Sequence, residues 1–291
     1  MQILDVRHRT TYRYRHAVTL GPHRLMLRPR ASHDLRLIAT SLTCTPPAAI
    51  TWAYDVFGNS VATATFSEPA AALTIESRIK LELYADAWPI FPIAPAAQGY
   101  PFDYSADDRT DLGAMTAPRY PDPGGCVGAW ARSFVCGDKT DTLSLLKDLN
   151  AGILGWIAYR SRDDEGTQPP FETLACGAGA CRDIALLMVE AARHLGFGAR
   201  IVSGYLYTPP DSGQWDVAAG TTHAWVEIFL PGAGWIAFDP TNRKVGGANL
   251  IPVAVARDIA QAIPIAGSFS GTADDLVEMK IEVKVESGAR E

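Results

Sequence analysis

The sequence predicts an α+β protein: an N-terminal all-β, sandwich-like domain, then a core in which a helix bearing a cysteine packs on an antiparallel sheet. Three observations predict it. Short β-rich runs separated by turn residues fill residues 1–85. The apolar period becomes helical after Cys126, and strand patterns return after residue 199.

In chain order, Arg9-Thr-Thr-Tyr-Arg-Tyr-Arg15 mixes β-branched and aromatic residues with arginine. Strand-like runs follow at Asp34–Thr45, Ile50–Tyr54, Val61–Phe66 and Ala72–Tyr84. Gly21-Pro22, Pro46-Pro47 and Phe57-Gly58-Asn59 are the turn signals between them. Residues 86–125 hold seven prolines between Pro89 and Pro123, together with Trp88, Phe91, Tyr100, Phe102, Tyr104 and Tyr120, and read as an ordered strap or linker. Residues 126–291 form the third unit, a core with a C-terminal strand. In it, Leu143, Leu146, Leu149, Ile153 and Ile157 recur at helical spacing. The turn Cys176-Gly-Ala-Gly-Ala180 precedes a second helix whose face is traced by Ile184, Leu187, Met188, Ala191 and Leu195, with Gly196 as its C-terminal cap. Strands then follow at Ala199–Tyr207, His223–Phe229 and Trp235–Phe238, the last two joined by the hairpin signal Pro231-Gly-Ala-Gly234. Val277, Met279, Ile281, Val283 and Val285 alternate with charges in a last, half-buried strand.

The 291 residues are 47% hydrophobic and 20% charged, enough for a sizeable core that needs neither disulfides nor metal. Net charge is −6. Residues 1–36 hold eight arginines against Asp5 and Asp34, a balance of +6, so the remainder carries −12. An acidic body argues against nucleic acid as partner, and the arginines are expected on solvent faces of strands. The five cysteines (44, 126, 136, 176, 181) contain no CxxC pair, which excludes a zinc ribbon and fits no disulfide framework. The first residues lack an apolar signal core and no 18-residue apolar run follows, so no membrane contact and a cytoplasmic location are expected.

Chemistry concentrates at three residues. Cys181 stands where a glycine-rich turn meets a helix N-terminus, where the helix dipole and free backbone N–H groups favour a thiolate and an oxyanion site. Asp183, in the first turn, reads as a helix-start residue. His223 opens one strand of the hairpin and Asp239 closes the other. A three-residue loop at 231–233 pairs residue 230 with 234, which sets Asp239 opposite Trp225 and diagonal to His223 on the same face. An even loop would separate them. A thiolate, an imidazole and an orienting carboxylate are the set that nucleophilic acyl transfer requires. Tyr205 and Trp225 line the cleft or belong to the core. His194 reads as a helix-end residue, and Cys176 as a bystander thiol or a reversible disulfide partner of Cys181.

Four ordered segments then carry a resemblance: Gly-Ala-Gly-Ala-Cys-Arg-Asp183, Gly-Phe-Gly-Ala-Arg-Ile-Val-Ser-Gly-Tyr205, His-Ala-Trp-Val-Glu227 and Gly-Trp-Ile-Ala-Phe-Asp-Pro-Thr-Asn242. They resemble the transglutaminase-like cysteine enzyme superfamily. His8-Arg-Thr-Thr-Tyr12-Arg-Tyr14, Leu27-Arg-Pro-Arg30 and Asp55-Val-Phe-Gly-Asn59 are similar to the β-domain that precedes this core in the bacterial branch. The resemblance implies a papain-like/transglutaminase-like core with Cys181, His223 and Asp239 as its catalytic residues, no cofactor and no metal. It implies thiol-dependent acyl transfer on a peptide or protein amide, with hydrolysis first and transfer to an amine as the alternative. Ala256-Arg-Asp-Ile-Ala-Gln261 departs from the branch's pattern by an aromatic and a carboxylate. A non-catalytic binding module and a zinc site at Cys181, His223 and Asp239 are the competing readings.

Overall fold

The computed structural model describes residues 1–162, 166–209 and 222–288. The N-terminal domain contains β1 (Gln2–Val18), β2 (His23–Leu25), β3 (Leu35–Thr45), β4 (Ala49–Tyr54), β5 (Ser60–Thr65) and β6 (Ala70–Leu83). β1 alternates buried Leu4, Val6, His8 and Thr10 with solvent-facing Asp5, Arg7 and Arg9, as a strand with one dry face must. The arginines of β1 therefore lie on the outer face, where Glu76 holds Arg7 at 2.8 Å, whereas Arg24, Arg28 and Arg30 are half-buried.

The strap carries β7 (Gly99–Tyr100) and α1 (Ala106–Leu112). It is tied down by backbone and aromatic contacts. Ala94 N–H donates to Pro231 O at 2.8 Å, and Tyr104 Oη bridges Phe229 O and Gly198 N–H. Tyr100 and Phe102 pack on Phe197.

The core follows: α2 (Cys126–Arg132), β8 (Thr140–Asp141), α3 (Thr142–Gly152), β9 (Ala158–Tyr159), α4 (Pro170–Cys176), β10 (Ala178–Gly179), α5 (Cys181–His194), β11 (Ala199–Leu206), β12 (Thr222–Leu230), β13 (Gly234–Asp239), β14 (Lys244–Val245) and β15 (Leu250–Ala256). The central sheet runs β14-β13-β12-β11-β15, with every pairing antiparallel. One face of β12, formed by Ala224, Val226, Ile228 and Leu230, packs with Ile184, Leu187 and Met188 of α5 in the main core. Burying each large aliphatic side chain there contributes roughly 1.5–3 kcal/mol. α5 is more buried than a one-faced helix. Even Glu190 and Arg193 are enclosed and paired at 2.7 Å; Glu190 also accepts from Arg119 and Tyr120 N–H of the strap, and Arg193 donates to Met115 O of the strap and to Ala199 O and Arg257 O of the core.

The last strands return to the N-terminal domain. β16 (Ile265–Ala266) pairs with β2, and β17 (Leu276–Ser287) pairs with β1. The domain is thus two four-stranded sheets, β17-β1-β6-β3 and β16-β2-β5-β4. This corrects the expectation that the C-terminal strand belongs to the core. An alternating strand names no partner. Nor does charge, since on the outer face Glu278 and Glu282 of β17 meet Arg13 and Arg9, with Arg13 and Glu278 at 3.2 Å, while Lys284 stands opposite Arg7. β17 is also more exposed than half-buried: Val277, Met279 and Ile281 are open to solvent. Among the described residues no helix is long and apolar enough to cross a membrane, and none of their side chains form a metal-holding group.

Candidate active site

Cys181 is the first residue of α5 and is partly exposed. The turn before it is set by Asp183, which is fully buried and accepts hydrogen bonds from Ala180 N–H (2.9 Å), Gln168 N–H (2.8 Å) and Arg162 (2.9 Å). Asp183 is therefore the helix-start residue expected, and it also ties down the incoming loop. Gly179 is required by space, because a Cβ there would stand 2.9 Å from Asp183 Cβ and 3.3 Å from Thr173 Cγ2. Parallel pairing of β10 with β9 sets Tyr159 beside Gly179. The Tyr159 phenol is pushed up by burial first and by the neighbouring Cys181 second, with Arg182 opposing.

The hairpin has the odd register. Leu230 pairs with Gly234 and Val226 with Phe238, so residues 231–233 are the loop. Consistent with that, His223 Nε2 lies 2.8 Å from Asp239 Oδ2, with both side chains fully buried. Asp239 Oδ1 also accepts from Thr241 and Asn242 N–H at 3.1 and 3.2 Å, and Oδ2 accepts from Asn242 Nδ2 at 2.8 Å. A carboxylate held by so many donors stays ionised. Burial works against its charge, but His223 and Asn242 outweigh it and hold Asp239 below the usual carboxylate range. Burial likewise opposes charge on His223, and Asp239, followed by Cys181, reverses that and raises it to about 10. Nδ1 of His223 is buried and has no hydrogen-bond partner among the described residues, while Cys181 is near enough to help raise the ring. The backbone thus brings Cys181, His223 and Asp239 into one electrostatic unit from a helix start and two strand ends.

Tyr205 and Trp225 are corrected from cleft-lining candidates to buried residues, each 1% exposed. Tyr205 bonds His8 of β1 at 3.0 Å in the domain interface. Trp225 lies beside His223, ring centroids 5.9 Å apart and planes 27° from parallel. A cavity of about 410 Å³ is lined by Arg160, Ser161, Arg162, Gln168, Cys176, Ala178 and Gly179, in the turn ahead of Cys181, with neither Tyr205 nor Trp225 in its wall. Exposed Cys176 is a wall of that cavity. His194 sits at the end of α5, 3.6 Å from Asp122. Asp258, in the segment that departs from the branch's pattern, anchors the strap by accepting from Arg119 at 2.6 Å and Tyr120 Oη at 2.8 Å. Asn242, present in the last of the four segments but given no role there, holds Asp239 through its side-chain amide. Its signal is the Asp-Pro-Thr-Asn spacing, which lets a side-chain amide turn back onto the carboxylate three residues earlier.

Residues 4–82 match the family described as the bacterial transglutaminase-like N-terminal region, and residues 128–240 match the transglutaminase-like superfamily. The fold is similar to the crystal structure of a "putative cysteine protease" from Cytophaga hutchinsonii, with a TM-score of 0.73 at 20% identity over 100% of this chain and 92% of that one. An uncharacterized protein of Mycobacterium leprae (strain TN) is 32% identical over 105 residues, 36% of this chain and 37% of its own length. The uncharacterized protein YebA of Bacillus subtilis (strain 168) is 33% identical over 70 residues, 22% of this chain and 10% of its own length. The matched stretches therefore span well under half of these two relatives.

Proposed function

We propose that this chain, a transglutaminase-like core behind a bacterial transglutaminase-like N-terminal region, is a thiol hydrolase of peptide or isopeptide bonds. Membership of the superfamily supports thiol-dependent acyl transfer in general. The observation that carries the specific reading is His223, buried between a carboxylate on Nε2 and Cys181 on its other side.

In this reading the Cys181 sulfur attacks the amide carbonyl carbon while backbone N–H groups at the start of α5 receive the oxyanion. His223, holding the thiol proton, delivers it to the leaving amine as the C–N bond breaks. Water then attacks the thioester with His223 as base, releasing the acid and restoring the thiol. Asp239 keeps the ring oriented and stabilises its cation throughout. Hydrolysis is favoured over transfer to an amine because transfer requires water to be kept from the acyl-enzyme. Here Cys181 is partly exposed, and Ala178 and Gly179 in the turn ahead of it line a cavity of about 410 Å³.

Wild type and Cys181→Ala, incubated with a peptide-amide library in the presence of a labelled primary amine, decide between the readings. Free acid produced by wild type alone supports hydrolysis. Amine incorporation by wild type alone replaces it with transferase activity. Equal silence of both proteins across the library argues for a binding module.

A further inference from the structure

Trp225 heads the largest fully buried side chains among the described residues, and its ring lies against that of His223. It belongs to a small apolar cluster with Val202 and Leu206 of β11 and Leu250 and Val255 of β15, against which Ala237 packs from β13. β11 leaves room for the indole by having Gly204, where a Cβ would stand 2.7 Å from the Trp225 ring. The remaining partner of this cluster comes from the other domain. It is Phe57, in the turn between β4 and β5.

That turn is built to hold Phe57 in one place. Asp55 Oδ1 accepts the N–H groups of Phe57 and Asn59, both at 2.9 Å, and Oδ2 accepts the Asn59 amide at 2.8 Å. Arg30 donates to Phe57 O at 2.9 Å and to Asn59 Oδ1 at 2.7 Å. Asn59 is wholly buried and clamps the backbone of Val255 from both sides: its Nδ2 donates to Val255 O at 2.7 Å, and its Oδ1 accepts from Val255 N–H at 2.9 Å. The turn is thereby registered on a residue of the Trp225 cluster itself.

A histidine held at one ring nitrogen is fixed in direction but can still rotate about that hydrogen bond. A ring packed on its face removes that freedom, and small angular errors at a reacting group are costly. We infer that Phe57 is a positioning residue: through it the N-terminal domain seats Trp225 and so fixes the plane of His223 toward Cys181. The inference rests on the role proposed for His223. It gives the N-terminal domain a part in the reaction that does not require it to touch substrate.

The test is the rate at which iodoacetamide alkylates Cys181 in the full chain, read by mass spectrometry of the Cys181 peptide between about pH 5 and 10, together with the NMR titration of the His223 ring. Phe57→Ala is expected to slow alkylation at neutral pH roughly tenfold and to shift the His223 titration. Phe57→Leu, which keeps most of the apolar volume, restores most of the rate. Tyr205→Phe, at another point of the domain interface, leaves both readouts at wild type. A folded Phe57→Ala with the wild-type rate profile and titration overturns the inference. Should Phe57→Ala fail to fold, Phe57→Leu decides: a two- to threefold slower rate with a displaced His223 titration supports it, and wild-type values overturn it. His223→Ala separates the two levels. If it slows alkylation while Phe57→Ala does not, only the present inference fails. If it too leaves the rate unchanged, the pairing of Cys181 with His223 fails first.

Discussion

Two histidines of this chain are equally buried, each 1% exposed, and their pKa values are pushed in opposite directions. His8 lies where β1 meets the core sheet, with Tyr205 Oη and Thr10 Oγ1 each 3.0 Å from a ring nitrogen. Both partners are neutral, so burial alone acts and pushes its pKa down to about 4. His223 suffers the same burial, but Asp239 lies 2.8 Å away and the ring is raised to about 10. One hydroxyl exchanged for one carboxylate separates a structural histidine from a chemical one. Low dielectric amplifies whichever neighbour is present, and so the same environment serves both.

The largest break in that comparison is Asp239→Asn, which makes the site resemble the interface. Without the carboxylate, burial dominates, and NMR should find the His223 titration below 6.5 in place of about 10. Amide turnover should fall about 10³–10⁴-fold, because the amide side chain neither stabilises the imidazolium nor fixes its tautomer. Stability has a matching signature. The raised His223 pKa stabilises the fold fully below the unfolded value of 6.5, and that contribution fades as pH rises through about 10. The depressed Asp239 pKa stabilises above 3.8 and is lost on acidification below it. Wild type should therefore exceed Asp239→Asn in Tm most between these two unfolded values, with the gap closing toward alkaline pH. A gap that stayed constant from pH 6.5 to about 10 would mean that the pair is not ionic.

His8 gives the next effect, with the opposite sign. A neutral buried histidine leaves the unfolded chain to bind the proton first. Stability is intact above 6.5 and falls as pH drops toward about 4. The loss should reach about 3 kcal/mol in urea titrations. His8→Gln should lower stability at neutral pH and remove this acid slope. If the slope survives the substitution, another group is its source.

Much of this was legible beforehand, and what was not has definite causes. The period change at Cys126 and the return of strands after residue 199 located the layers, because burial on one face writes a period into the sequence. The loop at 231–233 made the His223–Asp239 contact a matter of parity. The partner of β17 was not legible, since alternation records a buried face and not the neighbouring strand. Nor was the burial of Trp225, because an indole in a strand reads the same at a cleft wall and in a core. The Asn59 clamp on Val255 joins residues 196 apart, and no local pattern encodes it.

Smaller substitutions sharpen the comparison by touching the partners and sparing the rings. Asn242→Ala removes the 2.8 Å side-chain bond to Asp239 but leaves both backbone donors, so it should cost about 2 kcal/mol and slow turnover by about tenfold without returning His223 to a low pKa. Tyr205→Phe is the counterpart at the interface and the gentlest of the series. It deletes the hydroxyl 3.0 Å from His8 Nδ1 and leaves that nitrogen buried without a partner, at a cost of about 1–2 kcal/mol by urea denaturation. Burial, not the hydroxyl, is what depresses His8, so the acid slope between 6.5 and about 4 should persist in Tyr205→Phe and vanish only in His8→Gln. A slope that disappeared with the hydroxyl would show the tyrosine setting the charge of His8, and the two histidines would then differ in the strength of their partners and not in kind.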